Sequence, residues 1–418
     1  MPFYALATLP LVQVLQRDHP LVRQTWLADD SAGAGRLREL RRWWDTLCKT
    51  GRLYGYFTNC SKTTLLVRND LVAIAKDLFA GTGVDILTDG ARYLGSTIGE
   101  QGFRASYLLN KVDEWLDELR VLTNFAQTEP HAAHASLNYS LRSRYTFLVR
   151  TLPDTSETLQ RIDKFMVEEF LPAISGRKGF TADDLALLRL PARLGGIGLL
   201  SLAETAKSAF NASKAMMHAQ VAEIVHQNLP HKDASVEQLH TSAVRARNLA
   251  RQEHRKNEKA QLQQLMNDSS LECRQLELLS AKGASAWLTT LPLKAHGFWL
   301  SKRDFGDGLA LRYNWTLEDV PVRCVCGAAF APDHEMVCPC GGYLTIRRNE
   351  LRDLMGSLLS EVCPNVGIEP RLTPLNGETF ERRSTNTREE APLDVRACGF
   401  WSRQEDAFFL CAGFSRQR

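Results

Sequence analysis

The chain has 418 residues, 44% hydrophobic and 24% charged, a globular composition long enough for two or three domains with sizeable cores. That balance excludes a largely disordered, collagenous or fibrous chain. Lysine plus arginine exceeds aspartate plus glutamate by 51 − 48 = 3, so any basic surface is local.

The opening apolar stretch, 1–15, lacks a basic leader and a small-residue cleavage site, and Gln13 interrupts it. No other stretch reaches about eighteen uninterrupted apolar residues. The expectation is an intracellular protein with no membrane partner. Residues 1–15 combine apolar side chains with good helix formers and stop at Asp18-His19-Pro20, which predicts a helix. Residues 21–27 predict a strand that breaks into Asp29-Asp30-Ser31-Ala32-Gly33, a tight turn with two acids at its tip. Leu37, Leu40, Trp43, Trp44 and Leu47 recur at helical spacing over 36–50, and Gly51 reads as the stop. A strand over 63–67 and a short glycine-bounded hairpin over 93–99 follow.

Leu109, Val112, Trp115, Leu116, Leu119 and Leu122 make 107–125 an amphipathic helix. Similar periodicity over 132–148, 158–170 and 183–190 predicts a helical subdomain closing in a glycine-rich turn at 191–198. From 201 to 279 the chain is polar and helix-forming, with Arg245, Arg247, Arg251, Arg255, Lys256 and Lys259 within fifteen residues, and predicts one long linker helix. From about 284 glycines, prolines and aromatics return, then a cysteine cluster, then one helix with short strands. The fold class expected is α+β, mostly helical.

Two adjacent carboxylates disfavour joint ionisation unless a cation sits between them. Mg2+ prefers oxygen ligands, and two-metal phosphoryl transfer uses such carboxylates to bring attacking hydroxyl and leaving phosphate together. On spacing alone an Asp-Asp turn is also ordinary solvated chain. Context adds to it. Trp26-Leu27-Ala28-Asp29-Asp30 resembles the aromatic-x-x-Asp-Asp box of reverse transcriptases. Residues 3–10 resemble the tail of the helix before that box in non-LTR retrotransposon polymerases. Residues 55–63, with Asn59 and Lys62, resemble the Asn-x-x-Lys block after it, and Tyr93-Leu94-Gly95 is similar to the primer-grip hairpin.

This resemblance covers roughly residues 1–200, a helical thumb included. It implies that Asp29 is a metal ligand, Asp30 its acidic neighbour, and Lys62 a contact to the incoming triphosphate; a solvated surface lysine fits position 62 equally. A polymerase palm also uses an earlier aspartate on a neighbouring strand, and the sequence starts after the place where the family carries it. The expectation is therefore a polymerase that is catalytically incomplete as this chain.

Cys324-x-Cys326, seven residues to His334 and three more to Cys338 offer three thiolates and one imidazole, a donor set for tetrahedral zinc, with Cys340 to spare. Gly327, Gly341, Gly342 and Pro332 permit tight loops around it. Ordinary reduced cysteines are the alternative. Four protein ligands leave no open position, so the Zn2+ would be structural.

After the cluster, Arg347-Arg348-Asn349 opens a helix with Leu351, Leu354, Leu358 and Leu359 at helical spacing. Ile368-Glu369-Pro370, Pro392-Leu393-Asp394-Val395 and Ala407-Phe408-Phe409-Leu410 then read as strands. The order resembles the restriction-like endonuclease that follows a cysteine-histidine knuckle in one branch of non-LTR retrotransposons. It implies Asp394 as the first ligand of a Mg2+ ion, Arg347 and Asn349 as a nucleic-acid-binding motif, and Glu369 as an accessory acid; a plain helix start fits Arg347 and Asn349 equally, and a strand-edge charge is the commoner use of Glu369. The chain departs from the family at Arg348, where a histidine is usual. It departs again at Leu410 and the 411–418 tail, where an aspartate should follow the paired phenylalanines, so DNA nicking is expected to be crippled.

The basic stretch, Arg251 and Arg255 above all, could meet nucleic-acid phosphates. Glu253 and Glu258 interrupt it, and a solvated helical face is the plain alternative. Trp287, Phe298, Trp299, Tyr313 and Trp315 could stack on bases, although core packing is the commoner use. The segments expected are a partial palm at 1–105, a thumb-like region at 106–200, a basic helical linker at 201–283, a zinc-knuckle region at 284–345 and a truncated nuclease at 346–418. The function implied is a nuclear fragment of a retrotransposon RNA-directed DNA polymerase with an endonuclease remnant, acting on an RNA template and a DNA target. The other reading is a non-catalytic nucleic-acid-binding module.

Overall fold

Leu11 and Leu15, on one face of helix α1 (Pro2–Asp18), are fully buried against Val22, Trp43, Trp44, Leu47 and Phe79. They belong to a computed structural model that describes residues 2–226, 233–268, 273–317, 319–335, 337–340, 343–372 and 391–410. The chain divides into two compact units, Met1–Arg312 and Tyr313–Arg418, a division that falls inside the segment 284–345.

In the first unit, β1 (Arg23–Leu27) and β2 (Asp30–Ala34) form an antiparallel hairpin with Leu27 opposite Asp30. Helix α2 (Leu37–Thr50) turns Trp43, Trp44 and Leu47 into the shared core, as its apolar spacing requires. Gly51 is not a left-handed stop: its φ is −53° and the chain tightens there into a 3-10 turn, Gly51–Tyr54, which ends at Gly55 with φ 74°. Strand β3 (Thr64–Leu66), helix α3 (Val72–Leu78) and strand β4 (Asp85–Leu87) form a small crossover in which β3 and β4 run parallel. β5 (Gly90–Tyr93) and β6 (Ser96–Gly99) make a second antiparallel hairpin. Its turn residues Leu94 and Gly95 both have positive φ, 49° and 75°, the sign pattern of a two-residue hairpin turn that matches strand twist.

Helix α4 (Gln101–Ala126) buries Leu108, Val112, Trp115, Leu116 and Leu119, while Leu109, expected inside, is 42% exposed. Helices α5 (Pro130–Ser136) and α6 (Arg142–Thr151) run together through a π turn, Leu137–Leu141. A second π turn, Met166–Phe170, joins α7 (Ser156–Phe165) to α8 (Leu171–Ser175). Tyr145, Leu159, Ile162, Met166 and Phe170 from these helices are buried together with α4's stripe. Helix α9 (Ala182–Arg189) starts on a capping box between Thr181 and Asp184.

The stretch read as one linker helix is instead α10 (Leu202–His226) and α11 (Asp233–Asp268), which lie against each other, followed by α12 (Cys273–Ser280). Helix α10 also packs on α6 and α7. The reason is visible at its start. Leu202 and Ala206 are buried, and the Asp163 carboxylate of α7 accepts the Leu202 and Ala203 N–H groups at 2.7 and 3.0 Å and the Ser201 hydroxyl at 3.2 Å. An acid placed there satisfies unpaired donors and complements the helix dipole. Helices α13 (Ala286–Thr289) and α14 (Lys302–Arg312) complete the unit.

Phe305 of α14 is fully buried against His131, His134 and Trp287. Burial pushes the His134 pKa down to about 4, against the backbone hydrogen bond in which its Nε2 donates to the Ile197 carbonyl at 3.2 Å. Burial lowers His131 too. The unfolded chain takes up these protons near pH 6.5 and the folded chain does not. Stability is therefore intact above about pH 6.5 and falls by about 3 kcal/mol from His134 as pH drops towards 4. Urea denaturation at pH 7 and pH 4.5 checks this: His134→Gln, which keeps a donor for Ile197, should flatten that dependence, and an unchanged slope would refute it.

In the second unit an isolated bridge between Arg323 and Ala329 closes the loop that carries the first two cysteines of the cluster. Helix α15 (Pro332–Glu335) and helix α16 (Tyr343–Ser360) follow. Then come β7 (Asn365–Ile368), β8 (Arg371–Leu372), β9 (Ala391–Pro392), β10 (Val395–Cys398) and β11 (Asp406–Phe409). β11, β10 and β7 form an antiparallel sheet in that order, and β8 pairs with β9. α16 packs on β7 and β10 around Leu359, Cys363, Val395 and Ala397. Its buried stripe runs through Met355, Gly356 and Leu359, so Leu351, Leu354 and Leu358 stand outside at 44%, 57% and 56% exposure. The fold is thus mixed helix and sheet, dominated by helices. Positions 341 and 342 and the tail 411–418 lie outside the described residues.

Candidate metal centre and the two acidic sites

The Arg323–Ala329 bridge and a turn in which Gly327 N–H donates to Cys324 O at 2.8 Å aim Cys324 and Cys326 to one side. Gly327 has φ 86°, a conformation that a residue with a Cβ adopts only at a cost. α15 brings His334 opposite them, and Cys338 follows. The ligand atoms of Cys324, Cys326, His334 and Cys338 all lie within 4.8 Å of one another. Cys324 and Cys338 sulfurs are 3.6 Å apart, and Cys326 Sγ is 3.0 Å from His334 Nε2. A disulfide would bring sulfurs to about 2.05 Å. Bonds of about 2.3 Å to a common tetrahedral zinc would set them roughly 3.8 Å apart.

The Cys326 backbone hydrogen bond favours the Cys324 thiolate, but Glu335, burial and the neighbouring thiols outweigh it and push the Cys324 pKa up to about 12. A cation among the sulfurs reverses that balance. This cluster can hold a metal ion such as zinc. Cys340 lies outside the group of four and is exposed, its thiol pushed up first by the charge of Cys338.

Asp29 and Asp30 are exposed at the tip of the β1–β2 hairpin, after Ala28 at φ 53°. Tyr56 Oη donates to the Asp29 carbonyl at 3.0 Å, lies 3.0 Å from the Ser31 hydroxyl, and its ring packs edge-on to Trp26. Three tyrosines feel the acids. Burial first, then Tyr56 and Asp29, raise Tyr4; burial, then Asp30 and Asp29, raise Tyr56 against the Ser31 hydrogen bond; burial, then Asp30, raise Tyr93. Lys62 ends an exposed 3-10 turn, Cys60–Lys62, and makes no ion pair among the described residues. Among those residues no third strand pairs with the hairpin and no third acid joins Asp29 and Asp30 in a group able to share a metal.

Asp394 immediately precedes β10 and is 1% exposed. Arg348 of α16 donates to its Oδ1 from Nε at 2.9 Å and Nη2 at 2.7 Å. One helical turn on, Arg352 pairs with Glu369 and Asp353 and donates to Asn349 Oδ1 at 3.2 Å. Asn349 thus orients an arginine, and Arg347 beside it is half-buried. Sequence reasoning named Arg348 only as a departure; its bond to Asp394 spans 46 residues and no local pattern signals it.

On α11 the side chains of Arg245, Arg247, Arg251, Arg255, Lys256 and Lys259 are exposed and make no ion pair among the described residues. Glu258 is turned inward, 12% exposed, between Arg193 and His254. Arg251, Arg255 and Lys259 therefore form a row with one residue every four, a rise of about 6 Å per step. Of the aromatics, Tyr313 and Trp315 are buried, and Trp299 donates to Glu129 at 2.6 Å; Phe298 is 54% exposed. A cavity of about 610 Å³ opens beside α4 and α8, and none of the expected site residues lines it. No described helix is long and apolar enough to cross a membrane. No protein-family model matches the chain, and no curated protein matches it.

Proposed function

We propose that this chain is part of a non-LTR-retrotransposon type of RNA-directed DNA polymerase. It carries the acidic hairpin of the palm (1–105), a helical thumb (106–200), a basic helical region (201–283), a zinc module (284–345) and a nuclease remnant (346–418). It binds RNA template and DNA target in the nucleus and does not complete catalysis by itself. One observation carries the reading: Tyr56, in the segment that resembles the block after the acidic box, donates its Oη to the Asp29 carbonyl at 3.0 Å and packs its ring edge-on to Trp26 of the box itself. Tyr4 and Tyr93, from the segments that resemble the helix before the box and the primer-grip hairpin, also feel the charge of the two acids.

Two-metal transfer needs carboxylates from more than this turn, so Asp29 and Asp30 would hold Mg2+ with Lys62 near the triphosphate only once another strand supplies an acid. A non-catalytic nucleic-acid-binding module is the second reading, favoured by the Arg348 bond to Asp394.

The test is binding to an RNA–DNA hybrid across a salt series, alongside primer extension in Mg2+. Binding should be steeply salt-dependent, and Arg251→Ala/Arg255→Ala should weaken it about tenfold and reduce the salt slope by about 2. Extension should be absent. Template-dependent synthesis lost in Asp29→Ala would show the chain to be a complete polymerase; absence of salt-dependent binding would remove the nucleic-acid reading altogether.

A further inference from the structure

A carboxylate sealed from water stays charged only against a partner. For Asp394 one such partner is Arg348, two of whose N–H groups converge on a single oxygen. The pair is lopsided: the acid is 1% exposed and the Arg348 side chain 51%. The guanidinium therefore stands on the solvent side of the acid, where a hydrated divalent ion would approach. One helical turn further on Arg352 pairs with Glu369 and Asp353 with the burial reversed, the arginine side chain 15% exposed and Glu369 62%.

The two residues are backbone neighbours: Glu369 N–H donates to the Asp394 carbonyl at 2.9 Å. Glu369 has φ 50°, a left-handed conformation that a non-glycine residue adopts only at a cost. With Asp353 also on Arg352, three carboxylates face two guanidiniums, and the charge that Arg348 and Arg352 bring to Asp394 and Glu369 is the charge that one divalent cation would bring there.

We propose that Arg348 and Arg352 are built-in cations that occupy the divalent-ion position at Asp394 and Glu369, fixing the sheet of the second unit in a metal-free, non-cleaving state. The functional meaning rests on reading this unit as a nuclease remnant; the charge substitution stands on the geometry alone. Arg348 is the positioning residue of the pair, since its carboxylate is the one that water cannot reach.

The probe is Mn2+ titrated into the full chain with the cysteine cluster loaded with zinc, read by the electron paramagnetic resonance signal of free Mn2+. The wild-type chain should take up no Mn2+ that depends on Asp394. Arg348→Ala/Arg352→Ala should take up one ion per chain and melt several degrees higher with Mn2+ than without, and adding Asp394→Asn should abolish both effects. Arg348→Gln keeps an N–H donor for Asp394 while removing the charge, so it should gain the same ion without needing it to fold.

A folded Arg348→Gln that takes up no Mn2+ overturns the proposal. So does wild-type uptake lost in Asp394→Asn, or a double variant that stays unfolded with Mn2+ present. Hybrid binding by the wild-type chain is scored separately. Its absence together with gained Mn2+ uptake would sink the polymerase reading and leave this inference standing, and the reverse pattern would sink this inference alone.

Discussion

Stripping zinc from the cluster is expected to unfold the loop that carries it. The purified chain should hold one zinc per molecule, counted by elemental analysis, and lose it to a strong chelator. Among the described residues of the stretch 313–340 the buried apolar side chains are Tyr313, Trp315 and two of the ligands themselves, Cys324 and Cys338, so these residues have little core apart from the ligands. Structural zinc sites of this donor type bind with apparent free energies of about 10–16 kcal/mol near pH 7, most of it spent on holding the fold. Cys338→Ser removes a buried ligand and should abolish stoichiometric zinc. His334→Cys replaces imidazole with thiolate and should retain it. Limited proteolysis reads the outcome: cleavage between 320 and 340 should appear only in the metal-free chain. Equal resistance with and without metal would show that these cysteines are ordinary core thiols.

The second large effect is expected at Gly196. A Cβ there would overlap the Leu190 carbonyl oxygen and lie 2.5 Å from its carbonyl carbon and 2.6 Å from Leu187 O. These are backbone atoms at the end of α9 and cannot swing away. The turn is also stitched down: Ile197 and Leu199 N–H donate to Leu188 O at 3.2 and 2.9 Å, and Gly198 N–H to Leu190 O at 2.9 Å. Arg312 adds a 3.0 Å bond to the Gly195 carbonyl. Gly196→Ala should therefore cost on the order of 4 kcal/mol or more, the range reserved for a named steric failure. Gly102→Ala, in the first turn of α4 with open space around the added methyl, should instead stabilise by up to about 1 kcal/mol. Urea denaturation of both variants decides it, and a Gly196→Ala chain within 1 kcal/mol of wild type would mean that the turn yields more easily than its hydrogen bonds suggest.

Where one amino-acid period or one short spacing determines the outcome, the sequence was a good guide. Trp43, Trp44 and Leu47 enter the core as their helical spacing demands, the Asp29–Asp30 pair sits at a hairpin tip, and four residues chosen by spacing alone converge at the cysteine cluster. It guided less well where partners are distant in the chain. The α10–α11 pair reads locally as one polar helix, because what folds it back is the burial of Leu202 and Ala206, the Asp163 clasp and the Arg193–Glu258 bond, each made with another helix. In α16 the leucines outnumber the other apolar residues, so a count of leucines picks the wrong face. The sheet selects the stripe through Met355, Gly356 and Leu359, where a small residue admits Ile368. His131 and His134 carry no signal at all in a short helix of alanines, and only the arrival of Phe305 from far along the chain makes them interior.

Asp163 clasps the first turn of α10, and Arg193 grips the middle of α11 through Glu258, so the row Arg251, Arg255 and Lys259 stands on a braced strut and not on a tether. Under the proposed function, phosphates lying along that row would be held at the helix's own spacing, about 6 Å from one charge to the next.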